Sequence, residues 1–185
     1  MTAMDLIKKI SSSEDLPEIK IIEFDTFSDL RGKIWTSFID ELSQKLLPDN
    51  IYFKHDKFNT NKKGVLRGIH GDSKTWKLVS CPMGEIEQVI VDLRTESKNF
   101  KKWIKFELNK DNQIAVLIPP GFGNAFCVSS DEALYHYKLA YDGGYNDFDN
   151  QFTFAWNDES IGIDWKICDP IISERDMIKE ENGNN

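Results

Sequence analysis

The chain has 185 residues, enough for one domain with a sizeable core and little more. Forty per cent of residues are hydrophobic and 12% aromatic, which is globular rather than disordered material. The formal net charge of −8, without a basic block, argues against nonspecific nucleic-acid binding and against an anionic membrane surface, while leaving room for a local cationic site.

No apolar run approaches the ~20 residues of a spanning helix, and MTAMDLIKKISSSEDLPE lacks the apolar core of a signal peptide. Residues 4–10, apolar at Met4, Leu6, Ile7 and Ile10, read as a short helix, and with the polar SSSED they make residues 1–18 an appended arm. IKIIEFDTF (19–27) is predicted as a strand with no hairpin partner close in sequence, and DLRGKI (29–34) as a turn into another. SFIDELSQKLLP (37–48) has apolar residues at 38, 39, 42, 46 and 47, one helical face. Ser37 with Asp40 forms a capping box there, and Pro48 follows the end.

From residue 51 the pattern changes to period-two segments. IYFKHDKF, KLVSCPM, EIEQVIVDLR, KWIKFELN, QIAVLIPPG, NAFCVSS, EALYHYKLAY and QFTFAWND follow one another at the ~8–12-residue spacing of an all-β sandwich or barrel. No helix intervenes, which argues against a parallel βαβ sheet. Residues 19–178 are expected to form a single domain and 179–185 a frayed polar tail. Cys81, Cys127 and Cys168, odd in number and with no CxxC, read as packing residues in a reduced, cytoplasmic compartment.

GVLRGIHGDSKTWKLVSCPMGEIEQ (64–88) has the spacing of a metal-binding cupin barrel: a glycine, five residues, His-x-His, three or four residues, Glu, six residues, Gly. In that register stand Gly64, His70, Asp72, Lys77 and Gly84. Downstream, in PPGFGN, Asn124 takes the place of the last histidine ligand. A protonated lysine cannot coordinate a cation and repels one, so the frame is kept without the metal site. What remains is a strand carrying Arg67, His70 and Asp72 beside one delivering Lys77: a cationic pocket with one imidazole. Histidine can remove a C–H proton next to a ketone, and Lys77 can stabilise the resulting enolate. Strand alternation in EALYHYKLAY puts Tyr135, Tyr137, Leu139 and Tyr141 on one face, where core packing is the ordinary role, and turns His136 away from Tyr137. His55 has no evident partner.

DLRG (29–32), VLRGIH (65–70), KLV (77–79), GEIEQVIVDLR (84–94), IPPGFGNAF (118–126), YK (137–138), WNDESIGIDW (156–165) and SERD (173–176) together resemble the dTDP-4-dehydrorhamnose 3,5-epimerase family over roughly residues 19–178. The resemblance implies an all-β cupin (jelly-roll) barrel with a few short peripheral helices, working without metal or other cofactor. It implies that His70 is the base, Asp176 its orienting carboxylate, Tyr137 the acid on the opposite face and Lys77 the enolate-stabilising cation. Arg31 and Arg67 would bind the diphosphate region, with Lys57, Asp72 and Asn124 as further substrate contacts. It also implies a nucleotide-sugar substrate, a homodimer with exchanged N-terminal strands and a downstream 4-ketoreductase.

Departures lie near the pocket. Gly71 and Asp72 follow the histidine where an aromatic and glutamine are usual, and the turn to Lys77 is about three residues shorter than in the dTDP-rhamnose enzymes. Thr36 replaces a glutamate, and Asn124 replaces the histidine of GFAHGF. DLRGKIW, HDKF, RGIHGD, GFGNA, AYDGGY and QFTFAWND resemble the capsule-heptose branch, which acts on GDP-6-deoxy-4-keto-heptoses at C3, C5 or both. Alternatives are a dTDP-4-keto-6-deoxyglucose 3,5-epimerase, a 3,4-ketoisomerase and a cupin that binds a sugar nucleotide without turning it over. A metal-dependent oxygenase is disfavoured by Lys77 and Asn124.

Overall fold

The computed structural model describes residues 3–145 and 148–177. Among the described residues, eleven of thirteen strands make two packed antiparallel sheets, flanked by one short α-helix, the jelly-roll architecture expected. In the six-stranded sheet the order is β1 (Ile7–Ser12), β2 (Lys20–Phe24), β10 (Ile114–Ile118), β7 (Trp76–Met83), β12 (Glu132–Tyr141) and β5 (Tyr52–Lys62). In the five-stranded sheet it is β13 (Phe152–Thr153), β6 (Leu66–Gly71), β11 (Phe122–Val128), β8 (Glu85–Asp92) and β9 (Trp103–Asn109). A separate hairpin joins β3 (Thr26–Asp29) to β4 (Gly32–Trp35).

Period-two alternation decides which side chains meet. Between the sheets, Val79, Val116, Ile118 and Tyr135 pack against Ile86, Ile90, Leu108, Phe122 and Phe126. The alternate residues are buried as well. Leu78, Ala115 and Leu117 lie under α1 (Asp40–Leu46) through Ile39 and Leu42, and Val89, Val91 and Ala125 lie under Phe152, Phe154 and Trp165. Burial on both faces explains why IAVLI and QVIVD read as continuous apolar runs. At the β7–β8 turn Gly84 has φ +81°, and a Cβ there would stand 2.1 Å from Glu132 O, so this position of the frame needs glycine for the fold alone.

Several local expectations are corrected. Residues 3–6 form a 3₁₀ turn, and 7–12 form β1 rather than a helix, because Ile7, Lys9, Ile10, Ser11 and Ser12 pair with β2. Within this N-terminal segment β1 joins the six-stranded sheet and Leu16 is fully buried. The 19–27 segment is two strands, and β2 is flanked by β1 and β10, so it offers no unpaired edge. The helix starts at Asp40 behind an extended Ile39 and has no side-chain cap, so Ser37 and Asp40 form no capping box. QFTFAWND supplies only the two residues of β13, the rest running on through turns. The expected tail, 179–185, lies outside the described residues. Among those described, no helix is long and apolar enough to cross a membrane.

Candidate active site

A cavity of about 230 Å³ opens between the two sheets and is lined by strands of both. From the five-stranded side, β6 supplies Arg67 and His70, and β11 supplies Asn124 and Phe126. From the six-stranded side, β5 supplies Lys57 and Asn59, β7 Lys77, and β12 Tyr137 and Leu139. The loop 173–176 closes one wall with Ser173, Arg175 and Asp176.

His70 and Asp176, 106 residues apart in sequence, are joined by a 2.6 Å contact between Nε2 and Oδ1. Asp176 is only 2% exposed, and its other oxygen accepts a hydrogen bond from the Ser173 hydroxyl at 2.8 Å. An ionised carboxylate there fixes the imidazole with Nε2–H donating, which leaves the Nδ1 lone pair for chemistry. Gly71 follows His70 because the chain is crowded: a Cβ would fall 2.3 Å from Phe122 O and 2.4 Å from the Phe152 ring. An aromatic residue at this position has no room.

Lys77 is 8% exposed and its ammonium donates to the His70 carbonyl at 3.4 Å. Burial lowers it to about 8; the nearby Asp72 carboxylate opposes the fall and Arg175 adds to it. Tyr137 stands on the opposite sheet from His70, its ring edge-on to Tyr135 at 5.5 Å, and its hydroxyl has no hydrogen-bond partner among the described residues. Arg67 is held through Nε to Asn61 Oδ1 at 2.7 Å, and Asn61 in turn donates to Asn59 Oδ1 at 2.6 Å. Lys57 donates to the Tyr145 hydroxyl and lies 4.5 Å from that ring's centroid.

Of the nine candidates, His70, Tyr137, Asp176, Lys77, Arg67, Lys57 and Asn124 line this one cavity. Arg31 and Asp72 do not. Arg31 sits at the hairpin tip, its side chain 87% exposed and paired with Asp29. Asp72 is 3% exposed, and its Oδ1 accepts the Lys74 and Thr75 amides at 2.9 and 2.7 Å, closing the short turn after β6. Its place is structural, with its charge felt by Lys77. His136 faces the other side of the sheet, where it meets Asp56 at 2.7 Å. His55 has a partner after all, Tyr141 Oη at 3.1 Å.

Sequence reasoning missed Arg175, which donates to Thr153 Oγ1 at 3.0 Å and Gln151 Oε1 at 3.3 Å while lining the cavity. Its signal was its place beside Asp176 in SERD. With Lys57, Arg67 and Lys77 it makes the cavity cationic around a single buried carboxylate. Such a site can hold an anion at its mouth and stabilise negative charge developing on an oxygen inside. Among the described residues no three His, Cys, Asp or Glu side chains cluster as a metal site would require.

Comparison with known proteins adds to this geometry. The model of the dTDP-4-dehydrorhamnose 3,5-epimerase family matches residues 13–181. The chain is 34% identical over 169 residues to the dTDP-4-dehydrorhamnose 3,5-epimerase of Shigella flexneri, covering 88% of this chain and 90% of that one. It is 33% identical over 121 residues to a dTDP-4-dehydrorhamnose 3-epimerase of Streptomyces niveus, covering 62% and 56%. The crystal structure of dTDP-6-deoxy-D-glucose-3,5-epimerase from Legionella pneumophila in complex with dTDP-4-keto-L-rhamnose superposes with a TM-score of 0.82 at 33% identity, over 91% of this chain and 89% of that one. The residues matched by the family model include every strand of both sheets except β1 and every residue lining the His70 cavity. The chain belongs to the dTDP-4-dehydrorhamnose 3,5-epimerase family of isomerases.

Proposed function

We propose that the protein epimerises a nucleotide-linked 4-keto-6-deoxy sugar at C3, C5 or both. The observation that carries this reading is the placement of His70, backed by Asp176, on one sheet and of Tyr137 on the other, with Lys77 lining the same cavity. His70 Nδ1 removes the proton from a ring carbon next to the C4 ketone. The electron pair moves onto the ketone oxygen, where the Lys77 ammonium stabilises the enolate; Tyr137 then delivers a proton to the opposite face. Proton transfers alone balance this reaction, so no redox partner enters it. Inverting both centres takes two such cycles at one site, since C3 and C5 flank the same carbonyl.

The cavity of about 230 Å³ is smaller than a typical drug-sized pocket, so it takes the sugar ring while the diphosphate and nucleoside lie across its rim. Arg67, Lys57 and Arg175 are the local cations for the diphosphate. The curated relatives favour dTDP-4-keto-6-deoxyglucose as substrate. A GDP-6-deoxy-4-keto-heptose is the second reading, favoured by Gly71, the short turn closed by Asp72, and Asn124, all beside His70. Retention of a complete acid–base set disfavours a binding-only protein, and an opposed acid disfavours a 3,4-ketoisomerase. The 4-keto product calls for a 4-ketoreductase as the next enzyme.

A second copy of the chain is part of this proposal. The β3–β4 hairpin pairs with neither main sheet and exposes Phe27 (63%), Leu30 (108%) and Ile34 (69%). A lone two-stranded ribbon with an apolar surface needs cover, and in a two-fold dimer its tip carries Arg31 to the partner's cavity.

The test is incubation in D2O with each sugar nucleotide, following deuterium at C3 and C5, with His70→Asn as control. Enzyme-dependent exchange that disappears in the control is expected. Tight binding of both nucleotides with no exchange would sink the epimerase reading.

A further inference from the structure

The side chain beside His70 on the five-stranded sheet is Asn124, its direct antiparallel partner in the β6–β11 ladder. Directly opposed residues project from the same face, with Cβ atoms roughly 5 Å apart. Asn124 therefore stands on the deprotonating side of the cavity, across from Tyr137. Which end of its carboxamide faces the cavity follows from the groups beneath it.

Gln88 on β8 is fully buried. Its Nε2 donates to the backbone carbonyls of Ala125 at 2.8 Å and Val89 at 3.1 Å. Two carbonyls cannot donate, so the Gln88 amide cannot be turned round without setting oxygen against oxygen. The same Nε2 lies 2.6 Å from Asn124 Oδ1, and Gln88 Oε1 accepts the hydroxyl of the fully buried Tyr135 at 2.8 Å. The Tyr135 hydroxyl is also 3.2 Å from Asn124 Oδ1. The Asn124 oxygen is thus committed downward, and its NH2 has no hydrogen-bond partner among the described residues. What the cavity meets next to His70 is a fixed donor that accepts nothing.

We infer that Asn124 is a positioning residue that selects which ring carbon is presented to His70, with Gln88 and Tyr135 holding its amide in the selecting orientation. The inference rests on the epimerase reading above. In a 4-keto sugar the two candidate carbons differ in their substituents. C3 bears a hydroxyl, whose lone pairs satisfy an N–H donor, whereas the C5 side offers the ring oxygen, a weaker acceptor, and an alkyl group. A buried donor left unpaired carries a desolvation cost. Asn124 therefore favours C3 over C5.

The measurement is the ratio of deuterium incorporation at C3 to that at C5, in wild type, Asn124→Ala and Gln88→Met, with thermal melts of all three. Wild type is expected to exchange C3 faster. The ratio should fall roughly fivefold in Asn124→Ala, the scale of one lost neutral hydrogen bond, and fall less in Gln88→Met, where the amide remains but is free to turn. A purely structural role would slow both centres equally and lower the melting temperature with the ratio unchanged; that result overturns the inference, as does faster exchange at C5 in wild type. Should Asn124→Ala fail to fold, the ratio in Gln88→Met decides. Tight binding of both sugar nucleotides with no exchange in wild type would overturn the epimerase reading itself and this inference with it, whereas an unchanged ratio on a working enzyme overturns this inference alone.

Discussion

Replacing Lys77 by methionine, similar in length and shape but uncharged, should make the protein more stable and nearly inactive. Burial lowers the Lys77 ammonium from 10.5 to about 8. At about 1.36 kcal/mol per pH unit, holding that charge in the fold costs about 3 kcal/mol. Part of this is returned in Lys77→Met because Asp72, 3% exposed and with no hydrogen-bond partner for Oδ2 among the described residues, loses its counter-charge. A net gain of about 1–2 kcal/mol at pH 7 remains, or roughly 2–8 °C in Tm for a domain of this size. Below pH 8 the lysine is protonated in both folded and unfolded chains, and the full penalty is present. Between pH 8 and 10.5 the folded chain has lost the proton while the unfolded chain keeps it, so wild-type stability rises with pH. The advantage of Lys77→Met should shrink over that window. Urea melts of both proteins at pH 7, 9 and 10.5 measure it, and solvent exchange should fall about 10²–10³-fold in parallel, the cost of one lost oxyanion donor. A variant less stable than wild type at pH 7, or an advantage identical at pH 7 and 10.5, would refute the buried-charge reasoning.

Asp176→Asn keeps the shape of the His70 contact but no longer fixes the imidazole with Nε2–H donating; exchange should fall by roughly 10²–10⁴-fold with the melting temperature little changed, and undiminished exchange would remove Asp176 from the mechanism. Tyr137→Phe keeps the ring against Tyr135 and loses only the acid, so deuterium washes in from the His70 face while net inversion drops about 100-fold or more, read by comparing label with product configuration. Arg31→Ala should lose activity without losing stability, since the side chain is exposed. Mixing it with inactive His70→Asn should restore turnover by building one intact site from two chains, and no recovery after subunit exchange would place Arg31 outside the partner's cavity.

The strands were legible wherever period-two patterning was strong. β7, β8, β9 and β12 fall within a residue or two of the predicted segments, and β10 ends three residues before its segment does; their apolar runs, bounded by turn residues, mark them even though both faces are buried. The N-terminus was misread because spacing such as Ile7 and Ile10 does not separate a short helix from a strand; pairing with β2 decides it, and that pairing is a tertiary fact. The β5 pattern gave a start at residue 51, but not its run on to Lys62, where Asn59, Asn61 and Arg67 form a polar chain along the cavity. No spacing rule joins His70 to Asp176 across 106 residues; family resemblance alone made that pair readable. Asp72 was assigned to the pocket by its neighbours in sequence, and Arg31 as a substrate contact by the family resemblance. The chain leaves the strand at Gly71 and turns Asp72 back onto its own amides, and the hairpin carries Arg31 away from its own cavity.

The two sheets carry different halves of the proposed chemistry. His70 and Asn124 are cross-strand partners in one, whereas Lys77 and Tyr137 stand on neighbouring strands of the other, Lys77 opposite Leu139 and Tyr137 opposite Val79. The handedness of the reaction is thereby written in backbone ladders and not in loops. Loops can be lengthened, shortened or rewritten to admit another nucleotide or a longer sugar, as the short turn after His70 already illustrates, and the face of the ring that loses its proton stays the same. Reversing that face would mean trading base and acid between β6 and β12, two strands each paired on both sides within their sheets. Enzymes built on this barrel are free to diversify in what they bind while remaining conservative in the stereochemical direction from which they act.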